Sequence, residues 1–357
     1  MQYIFNFAAI KFILMTLDTQ AVNLEKLLER NLKTAIISHF NPDGDAIGSA
    51  VGMYAYLRSK GQEPRIVMPS YGPECMDFLD PDNEITYFTR DKETAETVIR
   101  GSGLIICLDL NKTARTEQLA GLIAGSDAVK VMIDHHPSPE TDGFSIVISD
   151  PGASSTCELL YRILMSFRST GGCPEKLGLR TLTSLATGIL TDTNNFNNSL
   201  TPYTFTAASE MLRAGVDFDF ITNMVFRRYS EDRMRLMGHL LTNSMQIDRS
   251  LRASCMVMTL EDRRRFNFRD GDSEGFVNLP LMIGDVEISA LFSQTEEFIR
   301  VSLRSKGNIS VNAMAGRYFN GGGHERAAGG RLYMPVDQVR DYFFQSLEQF
   351  LQSSQQL

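Results

Sequence analysis

Residues 34–49 read TAIISHFNPDGDAIGS. An apolar run, Thr34–Ser38, breaks at His39, turns through Pro42-Asp43-Gly44 and continues into a helical pattern over Ala46–Lys60. A short run of this kind, apolar throughout and feeding a helix, marks a strand buried on both faces. The unit recurs at Pro64–Met68 (PRIVM), Leu104–Leu108 (LIICL), Val129–Ile133 (VKVMI) and Ser145–Ile148 (SIVI), with helical stretches such as Glu93–Arg100 between. Strand–helix alternation predicts an α/β fold whose mostly parallel sheet carries helices on both faces. Sites in such sheets lie at the carboxyl ends of the strands.

Farther along, Ser155 and Glu158 form a capping-box pattern before the stripe Leu159, Leu160, Ile163 and Leu164, so a helix starts there. Another is predicted over Leu177–Leu190, and long charged helices over Ala207–Ala214 and Phe220–Met245. From Leu251 the texture changes to strands at Ala253–Thr259, Val286–Gln294, Phe298–Ser305 and Ile309–Asn312, the pattern of a mixed or antiparallel sheet. The expected organisation is two domains: 22–215, a helical linker 216–248, and a smaller C-terminal α/β domain with a mixed sheet over 249–352. The active site is expected in the cleft between them.

A chain of 357 residues can bury a full core without staples. Its 35 basic and 43 acidic residues leave a formal charge of −8, which excludes a broad cationic face wrapped around duplex nucleic acid. The five cysteines are scattered without a C-x-x-C pair and read as reduced thiols of a cytoplasmic protein. Met1–Leu17 is apolar, but Lys11 interrupts it and it is short of the ~20 residues that span a bilayer. It is either an extension upstream of a start at Met15 or an extra element packed on the core, and no membrane partner is expected.

Acidic and imidazole residues close one predicted element after another. His39, Asp43 and Asp45 share the first strand-to-helix turn, Asp109 follows Leu104–Leu108, Asp134-His135-His136 follows Val129–Ile133, and Asp192 follows the helix Leu177–Leu190. Singly, each has a plain reading: Asp45 as a helix N-cap, Asp109 as a turn residue, the histidines as a surface turn. Together, carboxylates crowded with imidazoles call for a compensating cation. Such ligands without cysteine favour manganese, magnesium, iron or zinc, and their number favours two ions over one.

The second half carries Gly321-Gly322-Gly323-His324, read as a loop before a helix whose backbone N–H groups approach an anion. Arg300, Ser302 and Arg304 alternate onto one face of a strand, an arrangement that suits phosphate or a plain exposed face. Arg263-Arg264-Arg265 and Arg227-Arg228 read as solvated helix faces.

The ordered motifs, His39-x-x-Pro42-Asp43-Gly44-Asp45-Ala46-x-Gly48-Ser49, Asp134-His135-His136 and Gly321-Gly322-Gly323-His324-x-x-Ala327-Ala328-Gly329, resemble the DHH phosphoesterase superfamily over roughly residues 31 to 332. The glycine-histidine motif resembles the C-terminal domain of RecJ-type exonucleases and NrnA-type nano-RNases. The compact length resembles the NrnA type, a bifunctional oligoribonuclease and 3′-phosphoadenosine 5′-phosphate phosphatase, with cyclic di-AMP or its linear product as the alternative substrate. A single-strand DNA exonuclease and a non-catalytic nucleotide sensor are the remaining, weaker readings.

The resemblance implies two Mn2+ ions, with Mg2+ or Co2+ as substitutes. His39, Asp43 and Asp109 would hold one, and Asp45, Asp109, His135 and Asp192 the other. It makes Asp109, Asp134, His135 and His136 the catalytic set. Asp134 would orient a ligand, and His136 would contact phosphate or assist the leaving group. Arg304, Ser305, Gly321, Gly322, Gly323 and His324 would bind the substrate's far phosphate. Short RNA and nucleotides are the implied partners, with no stable duplex nucleic acid. A homodimer is implied only by the resemblance. Many relatives have glycine after the Asp-Thr of the fourth motif, whereas here Asn194-Asn195-Phe196 follows Thr193.

Overall fold

The computed structural model describes residues 19–227, 229–269 and 271–354. The apolar stretch Met1–Leu17 lies outside them. The chain forms two compact units, up to residue 228 and from residue 229 onward.

The first unit opens with helix α1 (residues 19–28). Then follow β1 (Thr34–Ile37), α2 (Gly44–Ser59), β2 (Arg65–Met68), β3 (Ile85–Tyr87), α3 (Lys92–Arg100), β4 (Leu104–Leu108) and α4 (Ala120–Ala124). The unit continues through β5 (Val129–Asp134), β6 (Ile146–Ser149), α5 (Thr156–Ser166), α6 (Leu179–Asp192), α7 (Pro202–Arg213) and α8 (Phe218–Phe226). The sheet runs β3-β2-β1-β4-β5-β6 with every pairing parallel.

Side-chain alternation splits the core into two layers. Ile36, Ile106, Val131 and Ile133 pack with residues of α2, α5 and α6 such as Met53, Leu160 and Leu185. Ala35, Ile37, Ile105, Cys107 and Met132 face Ala95 and Ile99 of α3 and Ile123 of α4. The five residues of β4 are all buried, which is why that strand reads as an unbroken apolar run. The chain winds outward from β1 to β3, then returns to β4 on β1's other side. The carboxyl ends of β1 and β4 therefore flank the switch point where such sheets form a crevice.

Helix α2 meets α5 and α6 through small residues. A Cβ on Gly48 would lie 2.6 Å from the Ser184 carbonyl oxygen, and one on Gly188 would lie 2.2 Å from Cys157 Sγ and 2.8 Å from an Asp45 carboxylate oxygen. Backbone-close packing of this kind sets the last turn of α6 against the first turn of α2.

The second unit contains α9 (Glu231–His239), β7 (Gln246–Asp248), β8 (Ala253–Met258), α10 (Leu260–Arg265), β9 (Ile288–Gln294), β10 (Ile299–Ser305), α11 (Val311–Tyr318), β11 (Gly322–His324), β12 (Ala327–Leu332) and α12 (Val339–Ser354). Its sheet, β11-β12-β10-β9-β8-β7, is mixed: only β8 and β9 pair in parallel. One face buries Cys255, Ala290, Phe292, Val301 and Leu303 against Met314 of α11, Phe319 directly after that helix, and Phe343 and Leu347 of α12. On the other face, Met256, Met258 and Leu291 are covered by Leu236, Leu240 and Phe276, while β10 presents Arg300, Ser302 and Arg304.

Several local expectations are corrected. The long helix over Phe220–Met245 is three pieces, α8, α9 and a π-turn at Leu240–Ser244, because Ser230 caps a new helix by accepting the Arg233 N–H. Ile309–Asn312 is not a strand: Ser310 accepts the Ala313 N–H and starts α11. The glycine-histidine stretch does not precede a helix. It is β11, paired to β12 with Gly322 opposite Gly329 and His324 opposite Ala327. Only half of the Ser155–Glu158 box forms. Ser155 accepts the Glu158 N–H, but the Glu158 carboxylate turns to the hydroxyls of Ser154, Thr201 and Thr204. Among the described residues no helix is long and apolar enough to cross a membrane.

Gly48→Ala places a methyl group against backbone that cannot yield and should cost about 1–3 kcal/mol. The expected readout is a lower urea midpoint with secondary structure retained; an unchanged midpoint would mean that the helices do not meet this closely.

Candidate active site

The carboxyl ends of β1, β4 and β5 converge, and Ser38 Oγ fastens the first two together by donating to the Leu108 carbonyl at 2.7 Å. His39 follows directly. Its Nδ1 lies 2.9 Å from the Phe40 carbonyl, which can only accept, so the proton sits on Nδ1 and Nε2 keeps a free lone pair. That Nε2 is buried and has no hydrogen-bond partner among the described residues; it lies 3.4 Å from an Asp109 oxygen and 4.0 Å from an Asp43 oxygen. A buried acceptor left in this state fits a ligand atom facing a cation.

Asp43, rather than Asp45, caps α2: one of its oxygens accepts the N–H groups of Asp45 and Ala46. Asp45 is fully buried and reaches the start of α5, where Thr156 N–H (2.7 Å) and Cys157 N–H (2.9 Å) donate to its two oxygens. A helix N-terminus favours that negative charge. Asp109 leaves β4 with φ +56, a left-handed conformation that aspartate tolerates better than most residues, and accepts the Thr156 hydroxyl at 3.1 Å.

On β5, the buried Asp134 grips its neighbour twice. Its oxygens accept the His136 backbone N–H and the His136 Nδ1–H, both at 2.9 Å. His136 Nε2 is thereby turned outward, 3.5 Å from an Arg115 nitrogen. His135 Nε2 points into the carboxylates, 3.3 Å from Asp192, 3.8 Å from Asp109 and 3.9 Å from Asp45.

Three sets of ligand atoms gather closely enough to hold an ion: His39, Asp43 and Asp109; Asp45, His135 and Asp192; and Asp109, His135 and His136. In the third, His136 Nδ1 is already committed to Asp134. Electrostatics agree with the need for a cation. Burial raises the Asp45 and Asp109 carboxyls above their usual range, and neighbouring carboxylates add to the effect. Burial, followed by Asp45 and Asp109, pushes Asp192 up to about 10. The donor set is carboxylate and imidazole, since the one nearby thiol, Cys157, instead donates to the Asp45 carbonyl. The residues therefore fit divalent metal, as oxygen- and nitrogen-seeking ions prefer.

Sequence reasoning passed over several contributors. Arg115 brings a guanidinium to His136 and to the Asp109 carbonyl (3.4 Å), and its own carbonyl accepts the Phe40 N–H. It sits on an irregular turn six residues after Asp109, with no periodic signal to expose it. Thr156 serves both Asp45 and Asp109, and its only hint was its place just after a capping serine. The departure after Thr193 has a conformational reading. Asn194, Asn195 and Phe196 run at φ +47, +55 and +60, the region glycine enters freely and asparagine tolerates, while Phe196 is braced by stacking on Phe205.

In the second unit, register places Arg304, Ala327 and His324 side by side on one face. Burial lowers the Arg304 pKa, and among the described residues its guanidinium donates only to the Leu303 carbonyl. Ser305 points to the opposite face and donates to the Ile309 carbonyl. Gly321 and Gly323 lie too close to β12 for a side chain: a Cβ on Gly321 would meet the Gly329 carbonyl oxygen at 1.8 Å. The Gly321 and Gly323 N–H groups donate to the Ala315 carbonyl and to Asn312 Oδ1.

Carboxylates raised by burial and by their neighbours hold protons that unfolded chains release above pH ~4. Metal-free protein should therefore lose stability as pH rises from about 4 toward 10, since the folded state binds more protons across that window. Saturating Mn2+ should raise the unfolding temperature and release protons, the more so toward the acid side, where more of these groups are still protonated. Calorimetry in buffers of different ionisation enthalpy checks this, and binding without proton release would count against the buried cluster as the metal seat.

Residues 33–189 match the DHH family, N-terminal domain, and residues 253–353 match the DHHA1 domain. The crystal structure of an exopolyphosphatase-related protein from Bacteroides fragilis is 36% identical, with a TM-score of 0.86 over 93% of this chain and 96% of that one. Proteins named bifunctional oligoribonuclease and PAP phosphatase NrnA are 28% identical in Thermus thermophilus, over 88% of this chain and 89% of that protein, and in Bacillus subtilis, over 83% and 88%. Motif order, the gathered acid–imidazole cluster and these likenesses agree: the chain belongs to the DHH family, in its NrnA-like branch with a DHHA1 domain, and is a hydrolase of phosphoester bonds.

Proposed function

We propose that this hydrolase degrades RNA chains of about two to five nucleotides to mononucleotides and converts 3′-phosphoadenosine 5′-phosphate to AMP, using two divalent ions, manganese by preference. The observation that carries the two-ion reading is the pair of ligand sets around one aspartate. His39 and Asp43 converge on Asp109 from one side, and His135, with Asp45 and Asp192, from the other. The likeness to the NrnA proteins over most of both chains supports the substrate class.

His39, Asp43 and Asp109 would hold one ion, and Asp45, Asp109, His135 and Asp192 the second. When bound, such ions neutralise phosphoryl charge and lower the pKa of the attacking water. The chain's own groups do the rest. Asp134 fixes the His136 ring, so that Nε2 faces outward where a phosphate oxygen or a leaving-group oxygen can meet it. Arg115 stands beside that nitrogen and supplies a fixed positive charge. Thr156 holds the Asp109 carboxylate in one rotamer through its hydroxyl. In the second unit, Arg304 and His324 offer a cation and an imidazole to a phosphate that does not react. A grip on one unreacting phosphate, without an extended cationic groove, suits short substrates.

The test is turnover with Mn2+ on a 5′-phosphorylated RNA dinucleotide, 3′-phosphoadenosine 5′-phosphate, cyclic di-AMP and a 24-mer RNA. Fast cleavage of the first two with a silent 24-mer supports the proposal, whereas preference for cyclic di-AMP replaces it with second-messenger hydrolysis. Asp109→Ala should lower kcat by about 10³-fold or more, the scale of removing a principal electrostatic contributor. Arg304→Ala and His324→Ala should raise KM more than they lower kcat, and the opposite split would move these residues out of binding.

A further inference from the structure

The open face of the second sheet carries more positive charge than a substrate with one anchored phosphate employs. Register assigns its residues to rows. Arg304, Ala327 and His324 form one; Ser302, Gly329 and Gly322 the next; Arg300 and Arg331 the third. Beyond them the rings of Phe298 and Tyr333 lie 6.3 Å apart, and Tyr333 is 70% exposed. The first row is the proposed phosphate anchor. The third has no part in it: four residues along a strand is ~14 Å, beyond the reach of the same phosphate.

Arg300 and Arg331 face each other directly across the antiparallel pair. Like charges in that position destabilise a sheet. Neither guanidinium forms an ion pair among the described residues, although Glu296 and Glu297 stand in the adjoining turn. The Arg331 guanidinium lies 4.7 Å from the Phe298 ring centre, which holds it over the sheet instead of letting it swing into solvent. The middle row, with two glycines and a serine, raises no bulk between the anchor and this pair. Two unneutralised arginines beside one half-buried ring, Phe298, and one exposed ring, Tyr333, continuous with a phosphate anchor over a low floor, are complementary to a single-stranded phosphodiester chain.

We propose that Arg300, Arg331, Phe298 and Tyr333 form a second nucleotide subsite, which takes an outlying phosphate and base of RNA chains longer than a dinucleotide. The inference rests on the oligoribonuclease reading and adds to it a structural basis for substrate length.

The experiment compares kcat/KM on a 5′-phosphorylated RNA dinucleotide and pentanucleotide, with Mn2+, for the full chain and for the Arg300→Gln/Arg331→Gln double variant. The pentamer-to-dimer ratio should fall about tenfold, the scale of a lost charged hydrogen bond. Arg300→Lys/Arg331→Lys should retain part of it, and Phe298→Ala should lower it too. The salt dependence of the pentamer KM should flatten by about 0.7 in log–log slope for each phosphate that the variant no longer neutralises. Unfolding temperatures identify variants that fail to fold, in which case the single substitutions carry the test. A ratio within twofold of the parent, in folded variants, overturns the subsite. If sedimentation then shows that the double variant has lost self-association, the arginines serve a second copy of the chain instead. If the parent cleaves cyclic di-AMP but neither RNA, the oligoribonuclease reading itself has failed, a result distinct from loss of the subsite alone.

Discussion

Mutual repulsion among Asp45, Asp109 and Asp192, with Asp43 at the rim, is the constraint around which the first unit is built. Two like charges 4 Å apart repel by about 4 kcal/mol at an effective dielectric of 20, and three of these groups are removed from most solvent. The scaffold offsets part of this. Two amides at the start of α5 donate to Asp45, at about 1.5–3 kcal/mol for each hydrogen bond to a charged group. The remainder calls for a cation, and His39 Nε2, without a hydrogen-bond partner among the described residues, and the inward His135 Nε2 face these same carboxylates.

The same constraint explains features that look unfavourable in isolation. Asp109 accepts a left-handed backbone because that conformation turns its carboxylate to both histidine sets. Gly48 and Gly188 forgo side chains within helices, at roughly 1 kcal/mol each relative to alanine, so that the end of α6 can deliver Asp192 to Asp45. Asp134, although acidic and buried, is turned to His136 by two hydrogen bonds, because an imidazole free to rotate could not present one nitrogen consistently.

The second unit solves a different problem. Its sheet buries one face on α11 and α12 and leaves part of the other open along β10, β12 and β11. Glycines at 321 and 323 let a third strand come close to β12, and their N–H groups are used within the fold. What the open face presents is side-chain chemistry, the arginines and His324, rather than the backbone cradle that a glycine-rich loop suggests. A sheet face spaces those groups in rows, so the positions of charges repeat along the strand direction.

Legibility followed the period and reach of each signal. Five of the six strands of the parallel sheet announced themselves as apolar runs, β1 and β4 most plainly because every residue in them is buried, and the acid and imidazole residues stood out at the strand ends. Short pieces misled. Ile309–Asn312 has strand composition, but the Ser310 cap decides for helix. β3, β7 and β11 are three residues long and are held by their neighbours rather than by their own sequence. The glycine-histidine stretch became a strand because β12 was available to pair with it. By itself the sequence determined the fold class, the order of the main strands and helices of the first unit and the types of residue at the strand ends, since these follow from local pattern. Only tertiary structure decided which carboxylates meet, that Asp43 caps while Asp45 plunges to α5, that Arg115 joins His136, and that Arg300 confronts Arg331. Those meetings depend on strand order, register and backbone-close helix packing, which bring together residues far apart in the chain.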